Sequence, residues 1–413
     1  MTNGPAIDAG RVVADLRELH ALTGTDAGAQ RVCWTETWRH AQALLAERLG
    51  ELGLEPDRDE AGNVWAYLEG DAEPALAVGS HVDSVPDGGW LDGALGVMAA
   101  LGVVRAWADS GERPPRTLAF VDWADEEGAR FGRSLFGSSA FSGTLVPDEA
   151  GELRDSEGVS IVDALAENGV ELDRVLEAGS RRSRLGAYLE LHIEQGPVLE
   201  AEGLRSAAVN GCAGIERHRF RFSGQASHAG TTPMDRRRDA GLAAADAALR
   251  IERVGRSHGG VATTGALALR PGIATAVAGE AELLVDLRHP DAGELASMLE
   301  DAWGSGEEAA AERGCEFSSE HVWSIEPIPF DPALVDQALA ASRETTGSER
   351  VLTSGALHDA AEAARVIPTA MLFCPSIAGL SHAKEEDTNG ADLIAAIEAF
   401  GLLANRVLAS DLS

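Results

Sequence analysis

The chain has 413 residues, of which 45% are hydrophobic and 24% charged, a composition typical of a folded globular protein. Its length suggests about two domains, with enough chain to bury a large core without disulfides. Its 34 basic and 67 acidic residues give a formal net charge of −33. This charge argues against nucleic acid as a partner and against an anionic membrane surface.

Most of the chain repeats one pattern, in which a short apolar strand is followed by a polar cluster and then by a helix. Strands are predicted at residues 64–67, 75–78, 117–121, 187–191 and 369–373, and helices at 38–52, 93–108, 332–345 and 391–408. This alternation is typical of an α/β fold with a mostly parallel sheet. In such folds, ligands bind at the carboxyl ends of the strands.

A middle segment, residues 211–325, has a different order of predicted strands and helices. Alternating residues at 217–222 and an apolar run at 281–287 predict strands, and helices are predicted at 239–252 and 291–312. The order strand-helix-strand-strand-helix-strand is that of a ferredoxin-like α+β sandwich. We therefore predict a larger domain formed by residues 1–210 and 326–413, interrupted by a smaller domain at 211–325.

The four cysteines lie far apart and form no C-x-x-C pair; they are Cys33, Cys212, Cys315 and Cys374. We therefore expect neither a disulfide framework nor a zinc–thiolate site. The N-terminal segment lacks the basic start and apolar run of a signal peptide. No stretch approaches the roughly 18 apolar residues that read as a membrane span. These features predict a cytoplasmic protein.

Histidines and carboxylates recur at predicted strand ends or in the loops that follow them. The segments are GSHVD from Gly79, LDG from Leu91, DEEG from Asp125, LHIEQG from Leu191 and LSH from Leu380. Any one of them alone is weak evidence, but their repeated placement after apolar runs predicts a metal site. Three imidazoles with several carboxylates and no cysteine suit Zn²⁺, Mn²⁺, Co²⁺ or Ni²⁺.

Four acidic residues in these segments suggest separate roles. Asp92, in a glycine-flanked loop, could bridge two ions because its carboxylate oxygens point apart. Asp83, two residues after His81, could orient that ring through its second nitrogen. The side chains of Glu126 and Glu127 should diverge, so one carboxylate could bind metal while the other acts as a general base.

Seven longer stretches carry a family pattern. They are GSHVDSVPDGGWLDGALGV from Gly79, DEEGARFG from Asp125, FGSSAFSG from Phe136, LHIEQGPVLE from Leu191, GQASHAGTTPMDRRRDA from Gly224, DLRH from Asp286 and SGALHDA from Ser354. In this order they resemble the hydantoinase/carbamoylase amidases, a branch of the aminoacylase-like di-metal hydrolases. That branch includes N-carbamoyl-L-amino-acid hydrolases, allantoate amidohydrolase and β-ureidopropionase.

The resemblance implies an α/β, mixed-sheet catalytic domain with an inserted ferredoxin-like domain that acts as a lid and mediates homodimerisation. It also implies two divalent ions per subunit, drawn from Zn, Mn, Co and Ni. His81, Asp92 and His192 would bind one ion. Asp92, Glu127 and His382 would bind the other, with Asp92 as the bridge.

The resemblance further implies roles around the substrate. Glu126 would be the general base, and Gln195 would lie near the substrate. His228 would reach the partner's active site and stabilise the oxyanion, and Arg288 would grip a substrate carboxylate. Two simpler readings remain open here: a loop-stabilising role for His228 and a structural ion pair at a strand end for Arg288.

Three positions depart from the family pattern. Thr275 falls where an asparagine is usual, Leu357 where a glycine is usual, and Ala378 replaces the first of two glycines. We expect Thr275, Gly355 and Leu357 to contact the substrate. The changes therefore suggest a less polar or differently shaped acyl or amine group.

The expected function is metal-dependent hydrolysis of a linear amide or ureido C–N bond, with an N-carbamoyl amino acid as the main substrate candidate. The alternatives on the same scaffold are an N-formyl or N-acyl amine deformylase and an allantoate amidohydrolase. An aminopeptidase or dipeptidase is a further alternative, but no feature is dedicated to a free α-amino group. A non-catalytic binding protein is the alternative from a different class.

Overall fold

Two compact units make up the computed structural model, which describes residues 4–412. The first unit runs to Asn210 and resumes at Phe330, and the second is Gly211–Pro329. The boundary predicted at residue 325 falls at the end of the strand Glu316–Ile325, four residues before the end of the second unit, which also includes the short strand Ile328–Pro329.

The helices and strands of residues 4–412 follow in chain order. Up to the end of the first segment they are α1 (Ala9–Thr23), β1 (Gly24–Thr25), β2 (Gly28–Ala29), α2 (Glu36–Glu51), β3 (Asp57–Arg58), β4 (Val64–Leu68), β5 (Ala75–His81), α3 (Ala94–Ser110), β6 (Leu118–Trp123), α4 (Phe136–Ser142), α5 (Pro147–Gly151), α6 (Ile161–Glu167), β7 (Leu185–Ile193), α7 (Val198–Glu202) and β8 (Ala207–Cys212). The second unit continues with β9 (Gly214–Ser223), β10 (Ser227–His228), α8 (Ala240–His258), β11 (Val261–Arg270), β12 (Ala276–Val277), β13 (Glu280–His289), α9 (Ala292–Glu312), β14 (Glu316–Ile325) and β15 (Ile328–Pro329). The first unit then closes with α10 (Pro332–Thr346), β16 (Val351–Ser354), α11 (Asp359–Ala364), β17 (Thr369–Cys374) and α12 (Gly390–Leu408). Short 3₁₀ segments occur at Val175–Arg184, Met234–Arg236 and Ile377–Gly379.

A mixed sheet forms the centre of the first unit, with the strand order β8-β17-β7-β5-β6-β4-β3. The four strands β17, β7, β5 and β6 run parallel, whereas β8 and β4 are antiparallel to their neighbours. Every residue of the four parallel strands is buried. Their nearly continuous apolar sequences fit a sheet covered on both faces, with α3 and α12 on one side and α4 and α11 on the other. The predicted α/β mixed-sheet class is confirmed.

Helix α3 packs closely against this sheet because its contact face is made of small residues. A Cβ on Gly96 would lie 2.4 Å from the carbonyl oxygen of Leu191 on β7 and 2.5 Å from the Cβ of Ser80 on β5. Gly93 precedes the helix with φ 61°, a left-handed conformation that glycine adopts without strain. The start of α3 is thereby fixed at the carboxyl ends of the parallel strands.

The second unit is a four-stranded antiparallel sheet with the order β11-β13-β9-β14 and the helices α8 and α9 packed on it. Burial alternates along β13, so that every second side chain enters the core. The inward residues form one cluster with residues of the two helices, among them Leu283, Val285, Ala247 and Met298. This is the ferredoxin-like arrangement expected from the order of elements.

The sequence-based expectation missed the short helices α4, α5, α6, α7 and α11, and it was also incomplete for two longer helices. Helix α1 was not predicted, although Val12, Leu16 and Leu19 are fully buried along one of its faces. Helix α8 continues six residues past the predicted end at 252, to His258, where Gly259 adopts φ 69° and ends it. Among the described residues, no helix combines the length and the apolar character needed to cross a membrane.

Candidate metal centre and active site

The predicted metal ligands of the first unit come together at the carboxyl ends of its parallel strands. His81 is the last residue of β5, and His192 is the penultimate residue of β7. Glu127 lies in the loop after β6, and Asp92 lies just before α3. His382 lies between β17 and α12. Neighbouring parallel strands end at the same edge of a sheet, so residues far apart in sequence share one site.

Asp92 lies at the middle of this group. Its Oδ1 atom is 3.2 Å from Nε2 of His192 and 3.8 Å from Nε2 of His81. Its Oδ2 atom is 3.5 Å from Nε2 of His382, and that same nitrogen is 3.4 Å from Oε2 of Glu127. Asp92 is therefore common to two three-residue groups of ligand type, His81–Asp92–His192 and Asp92–Glu127–His382; Glu190–His192–His358 is a third such group among the described residues.

The donors in these groups fit divalent cations. Among the described residues, Nε2 of His81 and Oε1 of Glu127 are buried without a hydrogen-bond partner, a costly state for a polar atom unless something binds it. Nδ1 of His81 lies 3.2 Å from the carbonyl oxygen of Asp83, and Nδ1 of His192 lies 2.9 Å from that of Ile193. These contacts favour rings that carry their proton on Nδ1 and direct Nε2 toward Asp92.

The loop that carries the glutamate pair is held by Asp83. Its carboxylate accepts the backbone N–H of Glu126 at 3.3 Å and that of Glu127 at 3.2 Å. Asp125 has φ 57°, and its carboxylate accepts the indole N–H of Trp34 at 2.9 Å. The two glutamates diverge: Oε2 of Glu126 lies 3.8 Å from Nε2 of His81, whereas Glu127 faces the other group.

Proton affinities in the metal-free site are strongly perturbed. Burial raises the pKa of Glu126 well above its usual value, and the negative charge of Glu127 adds to the effect. Burial also raises the pKa of Glu127. Burial alone would lower the pKa of His81, but nearby carboxylates, Glu126 first, raise it well above its usual value. Burial would raise the pKa of Asp92, yet its hydrogen bond and attraction to His192 lower it. A bound cation would therefore compete with protons for these groups.

A buried layer under the ligands was not predicted from the sequence. Glu190 accepts hydrogen bonds from the hydroxyl of Ser80 at 2.7 Å and from the N–H of Ala360 at 3.0 Å. The ring of His358 lies 4.3 Å, centroid to centroid, from that of His192. One local signal existed: Glu190 is a charged residue inside an apolar strand, two positions before His192 and so on the same face of it.

Of the predicted substrate contacts in the first unit, Gln195 directly contacts the residue that the two ligand groups share. Its side-chain amide donates to Oδ2 of Asp92 at 2.8 Å. Gly355 and Leu357 lie in the loop between β16 and α11; Gly355 is exposed and Leu357 half-buried. Ala378 has φ 55°, the left-handed region that favours the glycine usual at this position.

The remaining predicted contacts lie in the second unit. His228 on β10 and Ala276 on β12 are paired, and the carbonyl oxygen of Thr275 accepts the N–H of Ala229 at 2.9 Å. His228 and Thr275 are both exposed. Arg288 donates from Nε to Oδ1 of Asp286 at 2.7 Å, which is the ion pair at a strand end that the sequence analysis left open. The functional roles of these residues stay predictions.

Comparisons with known proteins identify the family. Residues 77–406 match the model of Peptidase family M20/M25/M40. The chain is 34% identical over 390 residues to the N-carbamoyl-L-amino-acid amidohydrolase of Paenarthrobacter aurescens, which covers 93% of this chain and 94% of that relative. It is 32% identical to the allantoate amidohydrolase of Bacillus subtilis, covering 89% and 90% of the two chains. The crystal structure of a hydantoinase/carbamoylase family amidase from Burkholderia multivorans matches with a TM-score of 0.90 and 34% identity, over 98% of this chain and 99% of that one. The chain therefore belongs to the hydantoinase/carbamoylase amidases of Peptidase family M20/M25/M40.

Proposed function

We propose that this protein is a di-metal amidohydrolase that cleaves a C–N bond of a linear ureido compound, with N-carbamoyl amino acids as its substrate class. The observation that carries the proposal is the position of Asp92, whose two carboxylate oxygens face two separate groups of ligand-type residues. The relatives named N-carbamoyl-L-amino-acid amidohydrolase supply the substrate class.

Two divalent ions would be held by these groups. His81, Asp92 and His192 would bind one, and Asp92, Glu127 and His382 the other. Nitrogen and oxygen donors of this kind accept Zn²⁺, Mn²⁺, Co²⁺ or Ni²⁺, so metal availability would decide among them. When bound, the pair would supply Lewis-acid activation of the attacking water and of the scissile carbonyl.

Glu126 is the proposed general base. Its carboxylate belongs to neither ligand group, yet Oε2 lies 3.8 Å from Nε2 of the ligand His81, beside the reaction centre. Oε2 would take a proton from the attacking water and deliver it to the leaving nitrogen. For an N-carbamoyl amino acid and one water, the products would be the amino acid, CO₂ and ammonia.

The second unit is proposed to act as a lid and as the dimer contact. Exposure of His228 and Thr275 on one ribbon supports their use in binding another group. His228 would donate to the oxyanion in the partner's active site, and Arg288 would bind the substrate carboxylate. Gln195, Gly355 and Leu357 would complete the substrate contacts from the first unit.

A cytoplasmic homodimer is the proposed state of the protein. Cys33, Cys315 and Cys374 carry free thiols, which supports a reducing compartment. Light scattering coupled to size exclusion should give twice the chain mass of 43.2 kDa. A mass of one chain at micromolar concentration would contradict the dimer.

Allantoate hydrolysis is the second candidate function, because two allantoate amidohydrolases are 32% and 33% identical to the chain, close to the carbamoylase values. The test is turnover by metal-loaded protein, measured as ammonia release from N-carbamoyl amino acids and allantoate and as release of the free amine from N-formyl and N-acyl amines. The proposal expects the highest kcat/KM for an N-carbamoyl amino acid. A preference for allantoate would favour the second function, and turnover of formyl or acyl compounds alone would refute both.

A further inference from the structure

Glu386 links the loop of Asp92 to the loop of His382, although it belongs to neither ligand group. The side chain is only 2% exposed. Its Oε1 atom accepts two consecutive backbone N–H groups, from Leu91 at 3.1 Å and from Asp92 at 2.9 Å. The main chain at the bridging aspartate is therefore held by a carboxylate four residues beyond His382.

The second oxygen of Glu386 reaches the same aspartate through a side chain. Oε2 lies 3.2 Å from the hydroxyl of Ser381, and that hydroxyl lies 2.9 Å from Oδ2 of Asp92. The Ser381 hydroxyl also accepts from the amide of Gln195 at 3.1 Å. Its single proton can be donated to only one of the two carboxylates at a time, so Ser381 couples Glu386 to the carboxylate of Asp92.

The contact between this carboxylate and the Asp92 loop leaves no room for a side chain. A Cβ built on Gly89 would lie 2.0 Å from Oε1 of Glu386 and 2.5 Å from its Cβ. The loop can approach the carboxylate this closely only with glycine at that position. Beside it, the indole of Trp90 donates to Oδ1 of Asp387 at 3.3 Å, a second link between the same two loops.

We propose that Glu386 is a positioning residue that fixes the distance between the two ligand groups by anchoring the backbone of Asp92 to the loop of His382. The inference rests on the proposed function, because it concerns the same pair of ions. Groups behind the metal ligands hold those ligands in place through hydrogen bonds. Removing such a group typically weakens metal binding by about 10–100-fold. The anchoring depends on the hydrogen bonds of Glu386 and not on its charge. A glutamine at this position would keep it, because its side-chain oxygen could accept the same two N–H groups and its side-chain N–H could donate to Ser381.

The test is titration of Co²⁺ into metal-free protein, followed by calorimetry and by the visible spectrum of the bound ion. Glu386→Ala should weaken binding by about 10–100-fold and change the spectrum, whereas Glu386→Gln should retain affinity near that of the wild type. Glu385→Ala, at the exposed neighbouring position, is the matched control and should leave both readouts unchanged. Thermal melting of the metal-free variants reports whether each one folds.

Two results would overturn the inference. The first is wild-type affinity in a folded Glu386→Ala protein. The second is equal weakening in the Gln and Ala variants, since that would mean the charge of Glu386 acts rather than its hydrogen bonds. If Glu386→Ala does not fold, Ser381→Ala is measured in its place. We then expect weaker Co²⁺ binding, and unchanged Co²⁺ binding would contradict the coupling of Glu386 to Asp92 through Ser381. Failure of the wild type itself to bind Co²⁺ would instead refute the proposed function.

Discussion

The carboxylate of Asp83 accepts the backbone N–H of Glu126 over 3.3 Å. The segment that follows strand β5 therefore fixes the loop that follows the neighbouring strand β6. Asp83 stands two residues after His81, and its own carbonyl oxygen lies 3.2 Å from Nδ1 of that ring. One short segment thus orients a proposed ligand and the proposed base together. This relationship explains why the glutamate pair can present two divergent carboxylates.

Replacing Asp83 by alanine should therefore loosen the glutamate loop, although the chain keeps all five proposed ligand residues. We expect metal affinity and kcat/KM each to fall by about 10–100-fold, the usual effect of removing a group that orients ligands. Calorimetric titration and steady-state kinetics would measure this. Unchanged affinity in Asp83→Ala would mean that the loop holds its shape without this carboxylate.

The adjacent residues Glu126 and Glu127 should give opposite results when each is changed to glutamine. Glu126→Gln should retain both ions and lose about 10²–10⁴-fold in kcat, because a general base is removed. Glu127→Gln should lose one ion, because a ligand carboxylate is removed. Metal analysis and kinetics on the two variants serve as controls for each other. Substantial turnover by metal-loaded Glu126→Gln would refute its assignment as the base.

The stability of the metal-free protein should fall as the pH rises. Burial, with the charge of Asp83, raises the pKa of Asp122 to about 7 and that of Asp125 to about 8. A carboxyl group whose pKa is higher in the folded state stabilises the fold below its unfolded pKa, near 4, and that stability is lost as the pH rises through the folded pKa.

Adding metal separates this pH dependence of stability from the pH dependence that the overall net charge of the protein causes. Bound cations offset the buried negative charge, so the increase in melting temperature on metal addition should grow between pH 5 and pH 8.5. Paired melting curves of chelated and metal-loaded protein measure it. A metal-induced increase that is the same at both pH values would contradict the prediction.

The proposed sharing of each active site between two subunits can be tested by mixing two inactive variants. Glu126→Gln should lack the base, and His228→Ala should lose about 10²–10³-fold in kcat as an oxyanion donor. If His228 acts in the partner's site, each mixed dimer regains one intact site, and random mixing restores about a quarter of wild-type activity. Recovery should require co-expression or exchange of subunits. Mixed dimers with no recovered activity would place His228 in its own subunit's site, and an active His228→Ala variant would place it outside catalysis.

The sequence predicted those features that depend on local pattern. Apolar runs followed by His81 or His192 placed these two residues at strand ends, because a buried strand and the loop after it are encoded by neighbouring residues. The ferredoxin-like unit was likewise readable from alternation and helical spacing. The end of helix α8 was placed too early, since residues 253–258 contain charged positions that interrupt the apolar pattern.

Contacts between distant segments left no such pattern. The carboxylate of Glu386 meets the N–H groups of Leu91 and Asp92 only after the sheet has brought two loops together. The contact of His358 with His192 depends in the same way on where α11 packs. Neither glutamate nor histidine in an isolated loop predicts a particular partner, so these parts of the site required the three-dimensional structure.

The most direct test of the account is the anomalous diffraction of crystals grown from metal-loaded protein. We predict two metal peaks per subunit, one on each side of the Asp92 carboxylate, with His81 and His192 beside one peak and Glu127 and His382 beside the other. A single peak, or peaks that do not contact Asp92, would contradict the bridged pair of ions on which the proposed chemistry depends.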